Sequence, residues 1–192
     1  MSVFLLGSAL IWQPARAPAA GVTIITHGHW GSINGWVMGM AGSVQYYPFF
    51  PGTNVICYEI RVTYNGSYAV TPIRLGGAPL ANDPFAEIVI KLDWSDLAGV
   101  LEQLDTASIA SLVVPRLVQT SYISELNGRA LSELPLHLIG HSRGGSLVCE
   151  MSKLLGMQGV WVDQVTTLDP HPANNNGNND PILVVTDAPL AN

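Results

Sequence analysis

The residues best placed to do chemistry in this chain form the pentapeptide Gly140-His141-Ser142-Arg143-Gly144, a match to G-x-S-x-G. The pattern alone is weak, and its surroundings give it weight. An apolar run at 136–139 leads into it, and Leu147, Val148, Met151, Leu154 and Leu155 follow at helical spacing. A serine between a strand and a helix sits on a sharp turn that exposes its hydroxyl, and the crowded backbone there leaves no room for side chains two positions away. Gly140 and Gly144 fill those two places. A helix starting at Arg143 aims unbonded backbone N–H groups and its positive dipole end at the point where an oxyanion would form. The chemistry this suits is acyl transfer, with Ser142 attacking a carbonyl carbon to give an acyl-enzyme.

Such a serine needs a rigid frame, and the apolar spacing predicts one. Residues 22–26 read as a short buried strand that runs straight into His27-Gly28-His29-Trp30-Gly31. Ile33, Trp36, Val37, Met40 and Val44 have helical spacing over 33–44, and 55–60 is apolar and partly β-branched like a strand. The stretch 61–84, rich in Gly, Pro, Asn and Tyr, is expected to be a long loop over the sheet's edge and a place for substrate contacts. Ser95 is expected to cap a helix bearing Leu97, Val100, Leu101, Leu104 and Ile109 and ending near Pro115. The helix after Ser142 closes at Gly156, and 162–168 forms the next strand. This alternation predicts one α/β domain over 1–192, a three-layer sandwich around a mostly parallel sheet with right-handed crossovers.

Composition narrows the function. With 48% hydrophobic and 11% charged residues, a chain of 192 residues has enough apolar material for a core and is not a disordered segment. A net charge of -6 with no Lys/Arg cluster speaks against nucleic acid as a partner. Cys57 and Cys149 lie in apolar segments as buried thiols, giving no disulfide framework or thiolate metal site. No apolar run reaches the ~20 residues of a transmembrane helix. Within residues 1–20, Val3 to Leu6 and Ala9 to Trp12 read as the strands of a β-hairpin around Gly7-Ser8, or the whole stretch reads as a signal-like leader with Ala15-Arg16-Ala17. Localisation is therefore open between secreted and cytoplasmic, with a lean to secreted.

At this point the chain resembles the α/β-hydrolase superfamily, specifically lipases and carboxylesterases with a Gly-His-Ser-x-Gly elbow and an earlier His-Gly turn. The resemblance covers 22–169. It implies that the residue after His-Gly, His29, and the residue after the nucleophile, Arg143, donate backbone N–H groups to the oxyanion, while Gly28 and Trp30 border the substrate. It implies an ester substrate, a small molecule or lipid, and no cofactor. The acid is read as Asp169, 27 residues after Ser142 and at the end of a strand, in a turn that resembles the Leu-Asp-Pro turn of pancreatic-type lipases. Asp187, after 182–186, is the reserve.

In this superfamily the catalytic histidine follows the acid, and here His171 alone does so, two residues after Asp169. Neighbouring side chains in a Pro-flanked turn rarely reach the arrangement of a triad. The expectation is therefore a domain incomplete at its C-terminal side, with an open sheet edge that a second copy could cover, and low turnover. The rival reading is a non-catalytic remnant or binding module on the same scaffold, or one completed by a partner chain. A metal site from His27, His29, Asp169 and His171, and calcium in the Asn-rich run 174–180, are the lesser alternatives. Tyr46, Tyr47, Phe49 and Phe50 are read as an acyl or aryl pocket or as loop anchors. His27, His137 and His141 are read as turn or core residues.

Overall fold

Five consecutive apolar or β-branched residues, Val22–Thr26, form β1, and every one is buried. A strand without an exposed face belongs inside a sheet covered on both sides. The computed structural model describes residues 21–44, 55–77, 79, 86–98, 104–172 and 180. In it β1 stands among β2 (Val55–Tyr64), β3 (Tyr68–Gly76), β4 (Glu87–Asp93), β5 (Leu136–His141) and β6 (Gln164–Leu168), in the order β3-β2-β4-β1-β5-β6. Neighbours are parallel except for the β2–β3 pair.

Alternation along β1 sends Ile24 and Ile25 to opposite cores. Ile25 meets Val89 and Ile139 beneath Val37 and Ala41 of α1 (Trp36–Val44). Ile24 joins Ile56, Ile90 and Leu138 under Ile109 and Val113 of α2 (Thr106–Leu117) and Leu147 and Met151 of α3 (Arg143–Met157). Each such side chain contributes about 1.5–3 kcal/mol by leaving water. The result is the expected three-layer α/β architecture. The helices divide between the faces, and such sheets place ligands outside the carboxyl ends of their strands.

Two local expectations are corrected, and one further strand is added. Over its described residues 61–77, the stretch expected as a long loop is a hairpin: β2 runs on to Tyr64, Asn65-Gly66-Ser67 turns with Gly66 at φ 74°, and β3 returns antiparallel. An Asn-Gly pair between alternating residues is a strong hairpin signal, and it outweighs the loop-like composition. Residues 87–93, unassigned from sequence, form β4 beside β1. The helix expected from Ser95 is a short 3-10 turn, Ser95–Leu97, while α2 begins later, capped by Asp105, and carries Pro115 in its last turn.

The expectations for 1–20, for Tyr46, Tyr47, Phe49 and Phe50, for Val100 and Leu101, for the Asn-rich 174–179 and for 182–187 lie outside the described residues. Among the described residues, no helix is long and apolar enough to cross a membrane, and β6 ends the sheet with Val165 and nearby Trp161 exposed. Cys57 and Cys149 are free thiols in half-buried positions, and burial pushes both up.

The cap of α2 offers a direct check. Asp105 holds an extended backbone and accepts the Ser108 N–H at 2.6 Å. Asp105→Ala is expected to lower unfolding free energy in urea by about 1 kcal/mol, with Asp105→Asn close to the parent.

Candidate active site

Strand register sets the site. Leu92, Thr26, Gly140 and Thr167 form one row across β4, β1, β5 and β6. Two positions beyond that row, at the carboxyl ends of the same strands, stand Trp94, Gly28, Ser142 and Asp169. Three of these four were singled out from sequence, and the sheet brings them to one rim.

Ser142 lies between β5 and α3 with φ 53° and ψ -125°, a conformation that costs a non-glycine residue about 1–3 kcal/mol. It is held by its N–H, which donates to the Leu168 carbonyl at 2.9 Å, and by its own carbonyl, which accepts from Gly145 at 2.9 Å. A side chain at Gly140 would strike the Gly144 carbonyl, and one at Gly144 would strike the His27 carbonyl. The elbow and the His27-Gly28 turn are therefore in backbone contact. A methyl group on Gly28 would lie 2.8 Å from Ser142 Cβ and 3.2 Å from its Oγ. Among the described residues, the backbone N–H groups of His29 and Arg143 meet no acceptor, and the Arg143 group opens a helix of 15 residues. Arg143 directly follows Ser142 in the chain, and His29 directly follows Gly28, which packs against the Ser142 side chain.

His29 and Trp30 are exposed, and Trp30 has a left-handed backbone at φ 55°. Partial burial holds the His29 imidazole below its ordinary range, and the Arg143 charge adds to this. Asp169, also exposed and at φ 44°, directly follows the residue that bonds Ser142. His171 is exposed two positions on, and among the described residues no hydrogen bond joins its ring to Ser142 or Asp169.

The other histidines have local partners. His27 is fully buried: Nδ1–H donates to the Gly28 carbonyl at 2.9 Å, and Nε2 lies 3.3 Å from both Asp93 Oδ1 and the Trp94 N–H. His137 meets Thr166 Oγ1 at 2.9 Å, and His141 sits edge-on to Trp36 at 5.5 Å. Among the described residues, no group of three or more His, Cys, Asp or Glu side chains could hold a metal ion. Arg143, expected at the site through its backbone, has a fully buried guanidinium that pairs with Asp180 at 2.6 Å.

No protein-family model matches the chain, and no curated protein does. The fold is similar to that of a protein from Lactobacillus plantarum WCFS1 described as a candidate cell surface hydrolase. That match has 16% identity and a TM-score of 0.44 over 78% of this chain and 53% of the other. It is also similar to the lin2722 gene product of Listeria innocua, at 11% identity and a TM-score of 0.45 over 79% of this chain and 51% of the other. The chain spans about half the length of these structures.

Sequence reasoning missed Asp93 and Trp94, and read Asp180 only as the carboxylate of a calcium-binding run. The first two end a nearly continuous apolar run, Ile88, Val89, Ile90 and Leu92, whose recognition as a strand would have placed them on the rim. Asp180 follows an Asn-rich stretch and carries no local signal.

Asp93 makes the rim sensitive to acid. Burial pushes its carboxyl up, but hydrogen bonds from His27 and Ser95 outweigh this and hold it at about 2 instead of 3.8. A depressed folded value stabilises above the unfolded one and is lost as pH falls through the folded one. Between pH 5 and pH 2 the parent should lose about 2 kcal/mol more than Asp93→Asn in urea titrations. Parallel loss in both proteins would remove Asp93 from this role.

Proposed function

We propose that the chain is a serine hydrolase acting on carboxylic esters through an acyl-enzyme at Ser142. The observation that carries this reading is the backbone of Ser142, at φ 53° and ψ -125° on the β5–α3 junction with Gly28 packed against its side chain. That conformation is costly, and such strain clusters where a side chain must be presented to a ligand.

In the proposed reaction Ser142 Oγ gives its proton to a general base and bonds to the ester carbonyl carbon. The carbonyl oxygen takes the negative charge and accepts from the N–H groups of His29 and Arg143, with the α3 dipole behind them. The C–O bond breaks, the alcohol leaves with the proton, and water then hydrolyses the acyl-enzyme. Asp169 orients the histidine that serves as base, and His171 is the histidine that follows it in chain order. Gly28 and the exposed Trp30 border the substrate, a small-molecule or lipid ester. The reading invokes no metal and no cofactor.

One observation favours a second reading. Among the described residues no imidazole is hydrogen-bonded to Ser142 Oγ. A scaffold with this elbow and no base in place would bind acyl compounds with little turnover, or would act only when a partner chain completes it.

The two separate in one experiment, labelling of the purified chain with a fluorophosphonate located by mass spectrometry, beside hydrolysis of a short p-nitrophenyl ester. The first reading expects the label at Ser142, its loss in Ser142→Ala, and hydrolysis at least about a hundredfold slower in Asp169→Asn. A folded chain that takes no label at any concentration leaves the second reading. Specific activity that rises with protein concentration points to completion by a partner.

A further inference from the structure

The two N–H groups assigned to the oxyanion come from separate segments, the turn after β1 and the first turn of α3. Their spacing has to be set by something other than the chain between them. We propose that one buried stack, His27, Trp94 and the Arg143 side chain, anchored by Asp180, sets that spacing, which makes Trp94 and Asp180 positioning residues for the reaction. This rests on the serine-hydrolase reading given above.

The stack touches both donors' segments. On one side, His27 Nδ1–H grips the carbonyl of Gly28 at 2.9 Å, the peptide whose nitrogen belongs to His29. On the other, the Arg143 side chain leaves the same residue that offers its backbone N–H. Its Nε donates to Asp180 Oδ2 at 2.6 Å, and its Nη2 donates to Asp180 Oδ1 at 2.9 Å and to the Leu104 carbonyl at 2.6 Å. Trp94 joins them: its ring stacks on His27 at 5.3 Å with planes 10° apart, and the Arg143 guanidinium lies 5.2 Å from its centroid.

Trp94 is itself fixed. It is fully buried, and its indole N–H donates to Thr26 Oγ1 at 2.9 Å. Asp180 is fixed as well, because Oδ1 also accepts the Thr106 N–H of α2 at 2.9 Å. A planar guanidinium on an aromatic face with a two-point carboxylate contact has one orientation, which an ammonium would not share. Side chains that served the core alone would not need to meet the two turns that flank Ser142.

Donors held in place act on the transition state and leave ground-state binding alone, so their displacement lowers rate and spares KM. The variants are Trp94→Leu, Trp94→Phe and Arg143→Lys, each first shown to be folded by its thermal melt. Labelling of Ser142 by the fluorophosphonate is expected to slow about tenfold or more in Trp94→Leu and Arg143→Lys. The p-nitrophenyl ester should show the same loss in kcat at unchanged KM. Trp94→Phe, which keeps an aromatic platform, should restore most of the rate. If Trp94→Leu does not fold, Arg143→Lys, which keeps a buried cation against Asp180, decides. A parent that labels while its folded variants label equally fast overturns this inference alone. A parent that takes no label overturns the serine-hydrolase reading, and the inference with it.

Discussion

The site depends on a chain that changes from strand to helix within one residue. Ser142 can do this only in a left-handed conformation, and that brings the first turn of α3 back onto the end of β5. The approach is so close that Gly140 and Gly144 have no space for a Cβ, and Gly144 in turn rests on the His27 carbonyl. The serine's strain is thus held by neighbours on both sides: the Leu168 carbonyl from β6 and the turn after β1. A rigid parallel sheet is what makes this affordable, because every one of those partners sits at a strand end whose height is fixed by register.

The same rim solves a second problem. Carboxyl ends of buried strands carry polar atoms that cannot reach water, and an unmet one costs about 1–3 kcal/mol. Here Thr26 Oγ1 donates to the Leu92 carbonyl and accepts the Trp94 indole N–H, while Asp93 accepts the Ser95 N–H. Side chains from adjacent strands therefore close each other's hydrogen bonds. The largest buried ring among the described residues, Trp94, lies within a polar network, stacked on an imidazole and 5.2 Å from a guanidinium.

Much of this was legible in the sequence. β1, β5 and α3 announce themselves by uniform burial or clean periodicity, and the glycines around Ser142 mark the elbow because only a missing side chain fits there. The β2–β3 hairpin was obscured by its Pro, Tyr and Gly content, although Asn65-Gly66 signals the turn. β4 was overlooked because Glu87 and Lys91 interrupt its apolar run, yet both fall on half-buried positions of a strand whose other residues are covered. The Arg143–Asp180 pair was out of reach for a deeper reason: a contact 37 positions apart between an arginine and an aspartate has no local spacing to betray it.

The order of the strands also dictates the order of events as the chain comes to its native state. β1, near the start of the described residues, pairs with β4 and β5, so that Ile24 meets Ile90 and Leu138, 66 and 114 positions later. Closing loops of that size costs entropy before any contact returns it, and topologies built on distant pairing fold slowly. During synthesis β1 emerges before β4 and β5 and must wait, apolar on both faces, until β5 has left the ribosome. Among the described strands, the β2–β3 hairpin is the pair that closes locally, which makes it the natural first piece of the sheet.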